Sequence, residues 1–283
     1  MITVFSNNKQ IPTNKVDYSD EAITYKLDQL QPNAKYISIN VDPSTKVNIV
    51  REELTMIMEC IYELTLKGYF EHNVPMTLNL PYLPYARADR IFEKGNPHGL
   101  NSFLFFLSDL DFDEIYICDI HNIQPVTDFI HDLPIKEKTQ LLCFKDSLSF
   151  DTVKDWDVVV APDKGAVEKA KTIAEYLNVP CVFANKVRDV STGKLTEMNL
   201  PDYDFTGKKV LIPDDIFDYG GTLKWLGGLL KQAGAKKVEL YVTHLIAPKG
   251  LKHLTGIIDK VYCHHTVAGY INKQTVTDFN LGQ

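Results

Sequence analysis

Nowhere in these 283 residues do apolar side chains run uninterrupted for the length that a bilayer crossing needs. The opening Met1-Ile2-Thr3-Val4-Phe5 lacks the basic start and long apolar core of a secretory leader. Together these absences lead us to expect a cytoplasmic protein with no membrane partner. Positive charge is scarce as well. A net charge of −7 argues against nucleic acid as a partner, because binding its backbone takes a broad basic surface. Cysteine is sparse and odd in number, five in all and none at paired metal-ligand spacing, so reduced thiols packed in the core are expected. Cys263-His264-His265 and His244 find no second cluster at zinc spacing and are read as structural. There is no Gly-x-Ser-x-Gly nucleophile turn and no low-complexity tract. What remains has the balance of an ordinary globular protein, 45% hydrophobic against 24% charged, with length enough for two domains.

Short apolar runs alternate with longer amphipathic stretches, which is the pattern of parallel α/β architecture. Strands are expected at 37–41, 76–80, 114–119, 158–161, 181–184, 210–212, 238–243 and 260–263. Helical periodicity covers 47–69, 99–110, 166–177 and 222–233, with Gly234 as a C-terminal stop. Between 130 and 157 the periodicity fails around Pro134 and the mixed charges Lys136-Glu137-Lys138, and a domain boundary is placed there. The division expected is 1–140 and 141–283.

The most informative segment is Asp214-Asp215-Ile216-Phe217-Asp218-Tyr219-Gly220-Gly221-Thr222. It follows the apolar run Val210-Leu211-Ile212-Pro213 and precedes an amphipathic stretch. A buried strand thus delivers two carboxylates to its carboxyl end, and a Gly-Gly turn opens a helix behind them. Unpaired amides and the helix dipole at such a turn favour a phosphate. Acids beside a phosphate cradle make sense when the ligand also presents hydroxyls. A ribose 5-phosphate meets that description, with its phosphate in the turn and its hydroxyls on Asp214 and Asp215. The competing reading is an acidic loop that merely caps a helix.

The same segment resembles the binding signature of the phosphoribosyltransferase superfamily, two acids followed by an Asp-Thr-Gly-Gly-Thr-like loop. Four further pieces resemble, in order, segments of the ribose-phosphate pyrophosphokinases. Pro81-Tyr82-Leu83-Pro84-Tyr85-Ala86-Arg87-Ala88-Asp89-Arg90 is similar to their ATP-site segment. Asp119-Ile120-His121-Asn122-Ile123-Gln124 is similar to Asp-Leu-His-x-x-Gln, and Pro162-Asp163-Lys164-Gly165 to Pro-Asp-x-Gly. Lys186-Val187-Arg188 resembles the Lys-x-Arg of a catalytic flexible loop. Five weak motifs in one order, over about residues 76–250, form a joint signal that none gives alone.

The resemblance implies two phosphoribosyltransferase-like α/β domains, each a mostly parallel sheet flanked by helices, in a homo-oligomer. It implies transfer of the β,γ-pyrophosphoryl group of ATP to the C1 hydroxyl of ribose 5-phosphate with release of AMP. Lys186 and Arg188 would be transition-state cations on a loop that closes over the site. Arg87, Asp89, Arg90 and His121 would hold ATP. Asp163, Asp214, Asp215, Asp218, Tyr219, Gly220, Gly221 and Thr222 would hold the ribose phosphate. Magnesium would sit near His121 and Asp163, the carboxylate being chemically the better ligand. A phosphoribosyltransferase consuming PRPP and a base, and a non-catalytic regulatory homologue, remain alternatives.

Two departures stand out. Ser38-Ile39-Asn40-Val41-Asp42-Pro43 stands where the family carries a Phe-x-Asp-Gly-Glu segment for adenine. Tyr219 replaces the first loop Thr, and with Phe217 suggests an aromatic wall for a larger acceptor such as ADP-ribose. Packing of Tyr219 against a neighbour is the alternative.

Overall fold

The computed structural model describes residues 1–27, 30, 34–68, 74–91, 93–129, 133–148, 155–188, 195–267 and 279–280, with backbone alone at 186–188, 195–197 and 279–280. The chain divides into two compact units, Met1–Lys138 and Thr139–Gln283.

The first unit opens with antiparallel strands, β1 (Ile2–Ser6), β2 (Lys9–Ile11), β3 (Asn14–Asp17) and β4 (Ile23–Lys26). It continues as β5 (Ile37–Val41), α1 (Val47–Leu66), β6 (Met76–Asn79), α2 (Gly99–Ser108), β7 (Glu114–Cys118), α3 (Ile123–Phe129) and β8 (Ile135–Lys138). The main sheet has the order β2-β1-β5-β6-β7-β8, parallel from β5 to β8. Because the order does not reverse from β5 to β8, right-handed crossovers place the three helices on one face. The strands read accordingly: Ile37, Ile39, Leu78, Ile115 and Ile117 are buried, while Ser38, Asn40, Asn79 and Tyr116 lie on the other face. Val50, Leu54, Ile57 and Ile61 of α1 recur at helical spacing and supply the covering stripe.

The second unit runs α4 (Gln140–Ser147), β9 (Val158–Ala161), a 3-10 turn (Lys164–Ala166), α5 (Val167–Leu177), β10 (Cys181–Phe183) and the paired strands β11 (Asn185–Arg188) and β12 (Leu195–Asn199). It then forms β13 (Lys209–Phe217), α6 (Gly221–Gln232), β14 (Lys237–Leu245), a second 3-10 segment (Pro248–Leu254), β15 (Lys260–Thr266) and β16 (Phe279–Asn280). Sheet order is β10-β9-β13-β14-β15-β16, parallel except for β16. Here the order does reverse. From β9 the chain steps out to β10 through α5, then returns across β9 to β13 and continues the other way through α6. Helices therefore cover both faces, and β9 is buried throughout: Val158 and Val160 pack with β13 and α6, Val159 and Ala161 with α4 and α5. In such sheets the crevice at the carboxyl ends of the two strands flanking the reversal is the natural ligand position. Those strands are β9 and β13.

This is the α/β architecture expected, with most strands and helices where periodicity put them. Four strands ahead of residue 37, the β11–β12 pair, the helices α3 and α4 and the strands β8 and β16 were not anticipated, and β8 runs through the mixed charges at 136–138. Lys186 and Arg188, expected to enter a loop, lie on the strand β11, opposite Met198 and Leu195 of β12; the rest of that expected loop, 189–194, lies outside the described residues.

Candidate active site

Three carboxylates converge at the reversal. Asp214 and Asp215 end the regular part of β13, and Asp163 begins the turn after β9. Asp163 Oδ1 accepts from Gly165 N at 2.8 Å and Ala166 N at 3.1 Å, so the carboxylate shapes its own turn as well as facing the crevice. Asp215, 9% exposed, accepts from Ile216 N at 2.7 Å through Oδ1, while Lys169 Nζ of α5 lies 3.6 Å from Oδ2. Asp214 Oδ1 accepts from Asp215 N at 3.0 Å. Burial first, then the negative charges of Asp215 and Asp163, push the Asp214 carboxyl well above the ordinary carboxylate range. Two chain neighbours thus differ in electrostatic setting.

Behind the acids the chain turns sharply. Gly220, at φ 74°, is the N-cap of α6 and offers no side chain to its first-turn amides. A Cβ on Gly220 would stand 2.8 Å from the Phe217 ring, and one on Gly250 would stand 2.7 Å from the Asp218 carbonyl oxygen. Glycine is required at both positions, and the bend is braced further by Ile246 N donating to Phe217 O at 2.9 Å. The bend presents amides at the positive end of a 12-residue helix. Thr222 is half-buried in the first turn, Asp218 half-buried before it, and Gly221 exposed. Phe217 is fully buried, which corrects its expected place in an aromatic wall: its ring is the floor beneath Gly220 and Gly250. Tyr219 is 72% exposed, so most of its ring is uncovered within this chain.

In the first unit, segments 81–90 and 119–124 follow the adjacent parallel strands β6 and β7 at their carboxyl ends. Cys118 N donates to Pro81 O at 3.1 Å, and Asn122 Nδ2 donates to Asp89 Oδ2 at 2.9 Å, so the two segments are fastened together. The turn through Leu83 and Tyr85 is closed by Ala86 N to Leu83 O and Ala88 N to Tyr85 O. Arg87, Arg90 and His121 are exposed, and Asp89 is half-buried. Asp119 is 1% exposed and adopts φ 41°, a left-handed conformation that side chains resist. It is held by Asp119 N donating to Lys138 O at 2.9 Å and Ile120 N donating to Glu137 Oε1 at 2.9 Å. The side chains of Lys186 and Arg188 lie outside the description, so only their strand positions are known.

Three polar partners escaped the sequence reading: Lys169, Asn122 and Glu137. Asn122 lay inside a quoted motif. Lys169 lay six residues beyond Asp163, and nothing in that spacing announces its reach to Asp215.

A family model for the phosphoribosyl transferase domain matches residues 146–263, nearly the whole described part of the second unit. The ribose-phosphate pyrophosphokinase of Pyrococcus furiosus is 34% identical over 203 residues, covering 70% of this chain and 68% of that protein. The ribose-phosphate pyrophosphokinase of Methanothermobacter thermautotrophicus is 24% identical over 284 residues, with 98% and 96% of the two chains covered. The crystal structure of phosphoribosylpyrophosphate synthetase from Mycobacterium smegmatis shares the fold at a TM-score of 0.71 and 24% identity, covering 89% of this chain and 80% of that one. The chain belongs to the ribose-phosphate pyrophosphokinase family and is a transferase.

Proposed function

We propose that this enzyme transfers the β,γ-pyrophosphoryl group of ATP to the C1 hydroxyl of a ribose phosphate. The hydroxyl oxygen attacks the β-phosphorus, the bond from that phosphorus to the α-phosphate oxygen breaks, AMP departs, and the hydroxyl proton passes to solvent. No covalent enzyme intermediate is required, so positioning and charge stabilisation carry the catalysis. The observation that supports this most is the joining, at one sheet reversal, of a glycine bend opening α6 with the acids Asp163, Asp214 and Asp215. The bend's amides, from Asp218 to Thr222, take the 5-phosphate, and the acids take the sugar. Arg87, Asp89, Arg90 and His121 take ATP, with the arginines suited to its phosphates. Lys186 and Arg188 neutralise charge on the transferring group.

Magnesium fits the donors present, since three carboxylates give oxygen ligands, whereas His121 is a poor ligand for it. Bound there, magnesium would neutralise phosphate and pyrophosphate charge. The five cysteines form no disulfides, which supports a reducing, ATP-rich cytoplasm as the place of work. Assembly as a homo-oligomer is part of the same proposal.

A second reading concerns the acceptor. Tyr219 stands on the phosphate bend with most of its ring uncovered, a position from which it can stack on a group beyond the 5-phosphate. ADP-ribose carries such a group and keeps a free C1 hydroxyl. The test is AMP release from ATP with ribose 5-phosphate, with ADP-ribose, and with neither. AMP formed only with an acceptor supports the proposal, and the ratio of kcat/KM for the two acceptors assigns the substrate. Clear preference for ribose 5-phosphate would remove the second reading. ATP consumption without AMP would remove both.

A further inference from the structure

Lys169 stands in the first turn of α5, the positive end of the helix dipole, where a cation is electrostatically out of place. Its near neighbour Lys171 is spent on the surface, 3.1 Å from Glu168. Lys169 instead reaches to 3.6 Å from Asp215 Oδ2. Asp215 is therefore held at both carboxylate oxygens, by Ile216 N on one and by the ammonium near the other. Asp214, one residue earlier and half-buried, faces two like charges.

Such asymmetry has a use if the pair binds a sugar diol, the reading proposed above on which this inference rests. A fixed, charged acceptor makes a stronger and more directional hydrogen bond to a hydroxyl than a mobile one does. A site built around that bond rejects the analogue lacking the hydroxyl, because its own buried polar group is then left unpaired. A cation placed out of step with its helix is a local misfit, and such misfits concentrate at functional sites. We infer that Lys169 is a positioning residue that fixes Asp215 to receive a ribose hydroxyl, and so sets the preference for ribose over 2-deoxyribose acceptors. Lys169 does not touch the sugar itself. It acts through Asp215.

The test uses the full chain as wild type, Lys169→Met, Lys169→Arg, Asp215→Asn and the Lys169→Met/Asp215→Asn double variant. Binding of ribose 5-phosphate and 2-deoxyribose 5-phosphate is followed by calorimetry, and KM for acceptor and for ATP by AMP release. Lys169→Met is expected to weaken ribose 5-phosphate binding about tenfold, the usual scale for one hydrogen bond to a charged group. The ribose-to-deoxyribose ratio should fall by about the same factor, with the ATP KM unchanged. Lys169→Arg should restore most of the ratio, and in the Asp215→Asn background Lys169→Met should change little. A Lys169→Met protein that keeps the wild-type ratio, or loses ATP and acceptor affinity alike, overturns the inference and leaves the functional reading standing. Wild-type protein that binds neither sugar phosphate overturns both. Circular dichroism separates these outcomes from misfolding; if Lys169→Met does not fold, Lys169→Gln takes its place and is held to the same fall in ratio, and an unchanged ratio after Asp215→Asn overturns the inference.

Discussion

At the scale of single residues, Asp214 is where the proposed sugar-binding role works against stability. Its carboxyl is raised by burial and by Asp215 and Asp163, so the folded state holds that proton more tightly than the unfolded chain does. The sign follows directly. The stabilising contribution is complete below the ordinary carboxylate pKa and is lost as pH rises through the raised value. Asp214→Asn should therefore melt above wild type at neutral pH, by roughly 2–4 °C for a gain of about 1 kcal/mol, with the gap closing towards pH 4. Melting curves across pH, together with the expected loss of acceptor binding, check it. Tyr219→Ala should leave ribose 5-phosphate kinetics within about twofold and raise the KM for ADP-ribose roughly tenfold, a scale set by loss of one stacked aromatic contact. Steady-state kinetics with both acceptors decide that. The acid pair and glycine bend were legible because residue type and order carry their chemistry. The position of Phe217 was not. It packs in the same cluster as Ile212, five residues before it, so strict two-residue alternation does not continue through the acid pair.

At the scale of elements, the strands β6 and β7 deliver their loops to the same edge, and Asn122 to Asp89 is the fastening between them. Glu137 supports the second loop through Ile120 N. Removing the fastening should loosen ATP binding without touching the acceptor. Asn122→Ala is expected to raise the ATP KM about five- to tenfold, the loss of one hydrogen bond to a carboxylate, and leave the acceptor KM unchanged. Long helices such as α1 could be read from their 3.6-residue periodicity to within a few residues. The early strands could not: β2, β3 and β4 are three or four residues long and largely polar, and β1, though apolar, is only five. One signal was present. Asn7 and Asn8 adopt φ 50° and 65°, a two-residue left-handed bend between Ser6 and Lys9 of the kind that Asn tolerates in hairpins. The β11–β12 pairing depends on contacts between residues that flank a polar stretch, and no local pattern announces it.

At the scale of the whole molecule, order along the chain carried more than any one motif. Each of the five segments is short and common, but their sequence from 81 to 222 mirrors one family, and 34% identity to a ribose-phosphate pyrophosphokinase places the chain in it. Composition excluded other classes without selecting this one. Partners fixed by tertiary packing, Lys169 above all, became visible only when α5 was set against β13. The central claim is the transfer of pyrophosphate as a unit, and phosphorus NMR of a reaction holding ATP, magnesium and a ribose phosphate tests it most directly. The account predicts that AMP appears in step with a new pyrophosphoryl ester on the acceptor's C1, with Lys186→Ala slowing both by about 10²–10³-fold. ADP and inorganic phosphate in place of AMP, or a Lys186→Ala protein of wild-type rate, would contradict it.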